Sequence, residues 1–170
     1  MKIKTFGKLG LFALLLMFVP SCSQNSDSED YQSLPPTFSG MQISNEDNPG
    51  GDLKTGDNIR FTGIQANTGI LLLGTTYTWS ITPDINVDFE PVISVNYGVN
   101  NSNPTNIFKF SSPGTYRVTL KAKYATAGSK GMTESRTENF TEDKCRISYE
   151  VFGAAIFHYL VTIDKYVTIK

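Results

Sequence analysis

His158 is the one histidine of this chain, and Cys145 is one of its two cysteines. A zinc site or a Ser-His-Asp relay would have to be built on that pair. Imidazole and thiolate are the groups that supply such ligands and a general base near neutral pH. His158 lies in Ile156-Phe157-His158-Tyr159-Leu160, a β-rich run without a nucleophile signature, and reads as a packed or surface imidazole. Cys145, in Asp143-Lys144-Cys145-Arg146, reads as a buried small hydrophobe rather than a reactive thiol. Asp84-Ile85-Asn86-Val87-Asp88 sets oxygen donors at alternate positions, as the start of a calcium loop does. Its sixth position is Phe89, where the sharp turn needs glycine, and its twelfth is Val95, where a bidentate glutamate is needed. The same residues fit the outer face of a strand. No Gly-x-Ser-x-Gly, phosphate loop or His-Glu-x-x-His occurs. The expectation is no catalytic residue, no metal and no cofactor. An envelope hydrolase using paired carboxylates stays open behind the binding readings below.

Binding chemistry has one candidate, the polar run Val95-Asn96-Tyr97-Gly98-Val99-Asn100-Asn101-Ser102-Asn103-Pro104. A flat tyrosine ring stacks on a sugar face while asparagine amides donate and accept hydrogen bonds, so Tyr97, Asn96, Asn100 and Asn101 form a possible glycan site. The competing explanation is a solvated loop whose tyrosine folds back on the sheet.

The second cysteine points to covalent chemistry. Lys2, Lys4 and Lys8 precede an apolar run from Leu9 to Val19, broken by Pro20 and followed by Ser21-Cys22. A basic start, a run too short to span a bilayer stably and a small residue before the cut describe a secretory signal over residues 1–21. Val19-Pro20-Ser21-Cys22 resembles a bacterial lipobox. That resemblance implies diacylglycerol on the Cys22 thiol, cleavage before it and acylation of the new amine. Each buried methylene then contributes about 0.8 kcal/mol to membrane anchoring.

Removing the three lysines of residues 1–21 from fifteen basic residues leaves twelve, against sixteen acids, so the mature charge is −4. A mildly acidic body without a basic cluster argues against nucleic acid as partner. With Cys22 acylated, Cys145 has no internal disulfide partner and the fold rests on its core. Ser23 to Ser33 contains no apolar residue except Tyr31, too little to offset chain entropy, which predicts a flexible tether over 22–36. Its Asp27, Glu29 and Asp30 resemble the acidic stretch behind the lipid-bearing cysteine in surface lipoproteins of Bacteroidetes-type bacteria. The resemblance implies an outer-membrane lipoprotein, exposed on the cell surface.

Beyond Pro35-Pro36 the pattern has period two. Ile59 and Phe61, then Tyr77, Trp79 and Ile81, then Ile85, Val87 and Phe89 alternate with polar residues. The clearest strand is Thr115 to Ala125, with Tyr116, Val118, Leu120, Ala122 and Tyr124 on one side and Arg117, Thr119, Lys121 and Lys123 on the other. Asn45 to Asp52 reads as a flexible connection. No mature segment of helical length shows helical spacing with caps, so the chain is expected to be all-β, an antiparallel β-sandwich. Thr76-Tyr77-Thr78-Trp79, followed by Pro113-Gly114-Thr115-Tyr116-Arg117-Val118-Thr119-Leu120, resembles the PKD-type immunoglobulin-like domain. The resemblance implies an indole packed in the core and a tyrosine at the turn into its strand. The family's Trp-x-Phe-Gly-Asp-Gly continuation is absent, since Ser80-Ile81-Thr82-Pro83-Asp84 follows Trp79.

The expected organisation is an immunoglobulin-like, PKD-like sandwich over 37–170, with a core of 37–141 and a β-rich extension of 142–170 adding C-terminal strands. Alternatively, 126–146 is a long insertion and 156–169 the final sandwich strand. The expected function is a non-catalytic, lipid-anchored cell-envelope module that binds a protein partner or a polysaccharide. A glycan-binding accessory lipoprotein of a polysaccharide uptake system is the alternative.

Overall fold

The computed structural model describes residues 32–85, 87–96, 103–140, 145–153 and 157–170, with the backbone alone for 92–96 and 140. It is all-β: two antiparallel sheets pack face to face, as the alternation predicts. One sheet has four strands, β2 (Thr37–Asn45), β3 (Asn58–Asn67), β7 (Thr105–Phe110) and β5 (Val87–Asp88), in that spatial order. The other has six, ordered β10 (Arg136–Phe140), β11 (Cys145–Phe152), β12 (His158–Ile169), β8 (Gly114–Thr126), β4 (Leu72–Thr82) and β6 (Val92–Asn96). Two short strands, β1 (Gln32–Ser33) and β9 (Ser129–Lys130), pair in parallel beside them.

Period-two patterning explains the burial. On β8, Tyr116, Val118, Leu120, Ala122 and Tyr124 turn inward, and Arg117, Lys121 and Lys123 stand in solvent. Tyr77, Trp79 and Ile81 of β4 do the same against Ile59 and Phe61 of β3 and Phe108 and Phe110 of β7. Phe108 is the hinge pin between the layers. Its ring stacks on Phe89 (centroids 4.7 Å apart) and meets Phe61 edge-on (4.9 Å) and Trp79 edge-on (5.9 Å). Such pairs contribute about 0.5–1.5 kcal/mol each beyond the area they bury. Tyr116 packs on Phe110 (4.8 Å), and its hydroxyl donates to the carbonyl of Ser112 at 2.9 Å, closing the turn into β8.

Strand β12 lies between β8 and β11, paired to both along its length. The segment from 84 to 90 differs from its period-two reading. Of it, Val87 and Asp88 pair with β7, while Ile85 is 60% exposed. Phe89 reaches the core by stacking on Phe108 rather than by strand pairing. The connection after β2 also differs from expectation, because the buried Asn45 side chain holds it. Its amide donates to Asp52 O (2.8 Å) and Asp57 Oδ2 (2.6 Å), and its carbonyl oxygen accepts from the backbone of Asp47 and Asn48.

The sandwich has two distinguishable ends. The chain joins it at one end, where Gln32 and Ser33 pair with Ser129 and Lys130 and Leu34 bridges Ile70. Lys170 lies at the other, hydrogen-bonded through its backbone to Leu53 and Thr55, with its ammonium on Asp52 at 2.8 Å.

Candidate functional site

Alternation that buries one face of the six-stranded sheet leaves the other open. Cross-strand register sets its residues in rows. Thr76, Lys123, Leu160 and Glu150 form one, Thr78, Lys121, Thr162 and Ser148 the next, and Ser80, Thr119, Asp164 and Arg146 a third. Tyr166 is placed beside Arg117 at one margin, and His158 beside Phe152 at the other. The rows run along β12 for eight residues between His158 and Tyr166, about 27 Å at strand rise. Arg117, Lys121, Lys123 and Arg146 are exposed on this face, against Glu150 and Asp164. Among the described residues the face therefore has a cationic excess, on a chain whose net charge is −1.

Three of its side chains make a compact platform. Phe152 and His158 stack with centroids 5.4 Å apart and planes 15° from parallel, and the Lys123 ammonium stands 5.5 Å from the Phe152 ring. Partial burial in this stack, and then the nearby Lys123 charge, hold the His158 imidazole below its usual pKa. Neutral imidazole and an exposed phenyl are stacking surfaces. In the middle of the face the Thr119 hydroxyl donates to Asp164 at 2.5 Å, so that carboxylate is already engaged.

The residues that could do chemistry by type do not meet. Cys145 is buried opposite Lys165, while His158 lies opposite Phe152 at the far end of the same strand pair. Seven residues of strand, about 24 Å, separate the two levels. Among the described residues no group of three or more His, Cys, Asp or Glu converges as metal ligands. Asp84 and Asp88 fall within that description, and Asn86 lies outside the described residues. Cys22, Tyr97, Asn100 and Asn101 also lie outside them, and Asn96 ends β6, paired with Gly74.

A network missed by sequence reasoning secures the joining end. The Tyr159 hydroxyl, fully buried, donates to Ser33 O at 2.6 Å and accepts from the backbone N–H of Gly131 (3.1 Å) and Met132 (3.3 Å). Tyr149, on the neighbouring strand, accepts the N–H of Phe38 at 3.0 Å. The available signal was tyrosine at inward-facing positions of apolar strands, since a buried phenol needs a partner. On the four-stranded sheet a shallow depression lined by Arg60, Asp88, Glu90 and Lys109 carries mixed charge, and Arg60 there is engaged by Glu46 through two hydrogen bonds of 2.8–2.9 Å.

No family model matches this chain, and no curated protein or solved structure matches it.

Proposed function

We propose that the chain is a non-catalytic, lipid-anchored module of the cell envelope, an immunoglobulin-like sandwich of PKD type that binds an extended acidic polymer on the open face of its six-stranded sheet. The observation that carries this reading is the sign of that face. Arg117, Lys121, Lys123 and Arg146 outnumber Glu150 and Asp164 there, with threonine and serine hydroxyls between them and an aromatic group at each margin. Cations attract and steer an acidic chain, hydroxyls hydrogen-bond to it, and the Phe152–His158 stack and Tyr166 offer flat contact. An acidic polysaccharide satisfies all three features. The PKD-type reading is supported by Trp79 in the core and by the Tyr116–Ser112 bond at the turn into β8. The lipid anchor rests on the basic start, apolar run and Ser21-Cys22 of the sequence.

The experiment is a binding screen against acidic and neutral polysaccharides with wild type, Lys121→Glu/Lys123→Glu and Tyr97→Ala. Salt-sensitive binding to acidic polymers, lost in the double variant, supports the face. Binding lost in Tyr97→Ala alone moves the site to the Tyr97 segment, and turnover of any polymer revives the hydrolase. A protein partner is the second reading, favoured by β10, which forms the outer edge of the six-stranded sheet and can accept an added strand. Capture of a protein, abolished by a proline in β10, would select it.

A further inference from the structure

The end of the sandwich at which the chain joins differs from the opposite end in kind. From Thr62 to Pro83, spanning the second half of β3, the connection after it and all of β4, no residue carries a charge, and none does from Tyr124 to Ser129. The connections at the other end hold Glu46, Asp47, Asp52, Lys54 and Asp57, then Asp84, Asp88 and Glu90. At the joining end, β9 and its connection to β10 add Lys130 and Glu134. Four large apolar side chains stand out of the charge-free strand connection and the segment bridged to it: Leu34, Ile70 (51% exposed), Leu71 and Leu73 (55%).

Their exposure is built by the backbone. Leu34 and Ile70 are bridged by a pair of backbone hydrogen bonds of 3.0–3.1 Å. Leu71 adopts a left-handed conformation, φ 51°, which residues other than glycine rarely take. The register of β4 on β8 slips between Leu72 and Gly74, so Leu72 turns inward and Leu73 outward. Lys130, exposed and paired across to Ser33, supplies an ammonium beside this tip.

We propose that this end is a bilayer-contact surface, with Leu34, Ile70, Leu71 and Leu73 seated in the headgroup region of the membrane that holds the Cys22 lipid. The inference rests on the lipid-anchor reading. Gln32, ten positions after Cys22 and so within at most about 35 Å of chain from it, lies at this same end. A strand connection without charges loses little on leaving water, its apolar side chains gain, and Lys130 beside it suits phosphate. The open face then stands upright on the membrane, with Tyr166 at its outer margin and Phe152 at its inner one.

The test uses the acylated full-length mature chain in vesicles of phosphatidylethanolamine with a minority of phosphatidylglycerol and doxyl-labelled acyl chains. Ile70→Cys and, at the other end, Ile85→Cys carry an environment-sensitive fluorophore, with the buried Cys145 replaced by alanine in both. The expected result is blue-shifted, doxyl-quenched emission at position 70, solvent-like emission at 85, and loss of the shift when Leu71 and Leu73 are changed to serine. Solvent-like emission at 70 in a chain that floats with vesicles overturns the contact and leaves the anchor standing. A chain that neither floats nor carries lipid mass on Cys22 overturns both.

Discussion

Replacing Tyr159 with phenylalanine removes one oxygen from the centre of the joining end and leaves the ring in place. The consequence follows from who else serves each partner. Ser33 O keeps the N–H of Gly131 at 3.0 Å, and Gly131 in turn keeps Ser33 O. The N–H of Met132, a buried residue, is left with none of its hydrogen bonds seen here. One newly unsatisfied buried donor, with a weakened neighbour, costs about 2 kcal/mol. Unfolding entropy of roughly 2.1 cal/mol/K per residue over about 140 folded residues converts this to a melting point lower by about 7 °C. Hydrogen exchange should accelerate first at 129–132, because these backbone groups belong to the smallest sheet and open with least loss of core. Thermal unfolding with exchange mass spectrometry reads both. A melting point within about 1 °C of wild type, with unchanged exchange at 129–132, would mean that the Tyr159 hydroxyl does not hold this end.

Gly131→Ala should loosen the same end, since a Cβ there would lie 2.6 Å from Ser33 O and 2.8 Å from a Leu34 methyl; the check is faster proteolysis near residue 33 with the sandwich core still folded. Phe108→Ala removes the ring shared by Phe61, Trp79 and Phe89 and should cost about 3–5 kcal/mol by denaturant titration. His158 has a folded-state pKa below its ordinary value of about 6.5, so the unfolded chain binds its proton first as pH falls. Its contribution is fully present above about pH 6.5 and is lost as pH drops below that, and His158→Gln should flatten this part of the stability profile.

Much of the sandwich was legible because alternation reports burial directly. Each side chain of β8 lies on its expected face, and Trp79 and Cys145 are buried as their surroundings suggested. Thr119 is the instructive exception: it points outward yet is covered, because Asp164 of the next strand caps its hydroxyl. What alternation does not encode is pairing. Whether β12 or β10 lies beside β8 depends on contacts 33 to 55 residues apart, and both segments have strand-like patterns. The segment at 84–90 misled for a related reason, since Phe89 satisfies its apolar preference by stacking on one ring. The open face was half visible as the polar side of one strand. Its cationic excess emerges only when β4, β8, β11 and β12 are laid side by side.

The envelope address of this chain can be read by mass spectrometry of the amino-terminal peptide of chain purified from membranes of its own host. A lipid-anchored chain yields a peptide beginning at Cys22 and carrying acyl groups. A peptide beginning at Met1, or an unmodified Cys22 in chain recovered from the soluble fraction, would contradict the anchor.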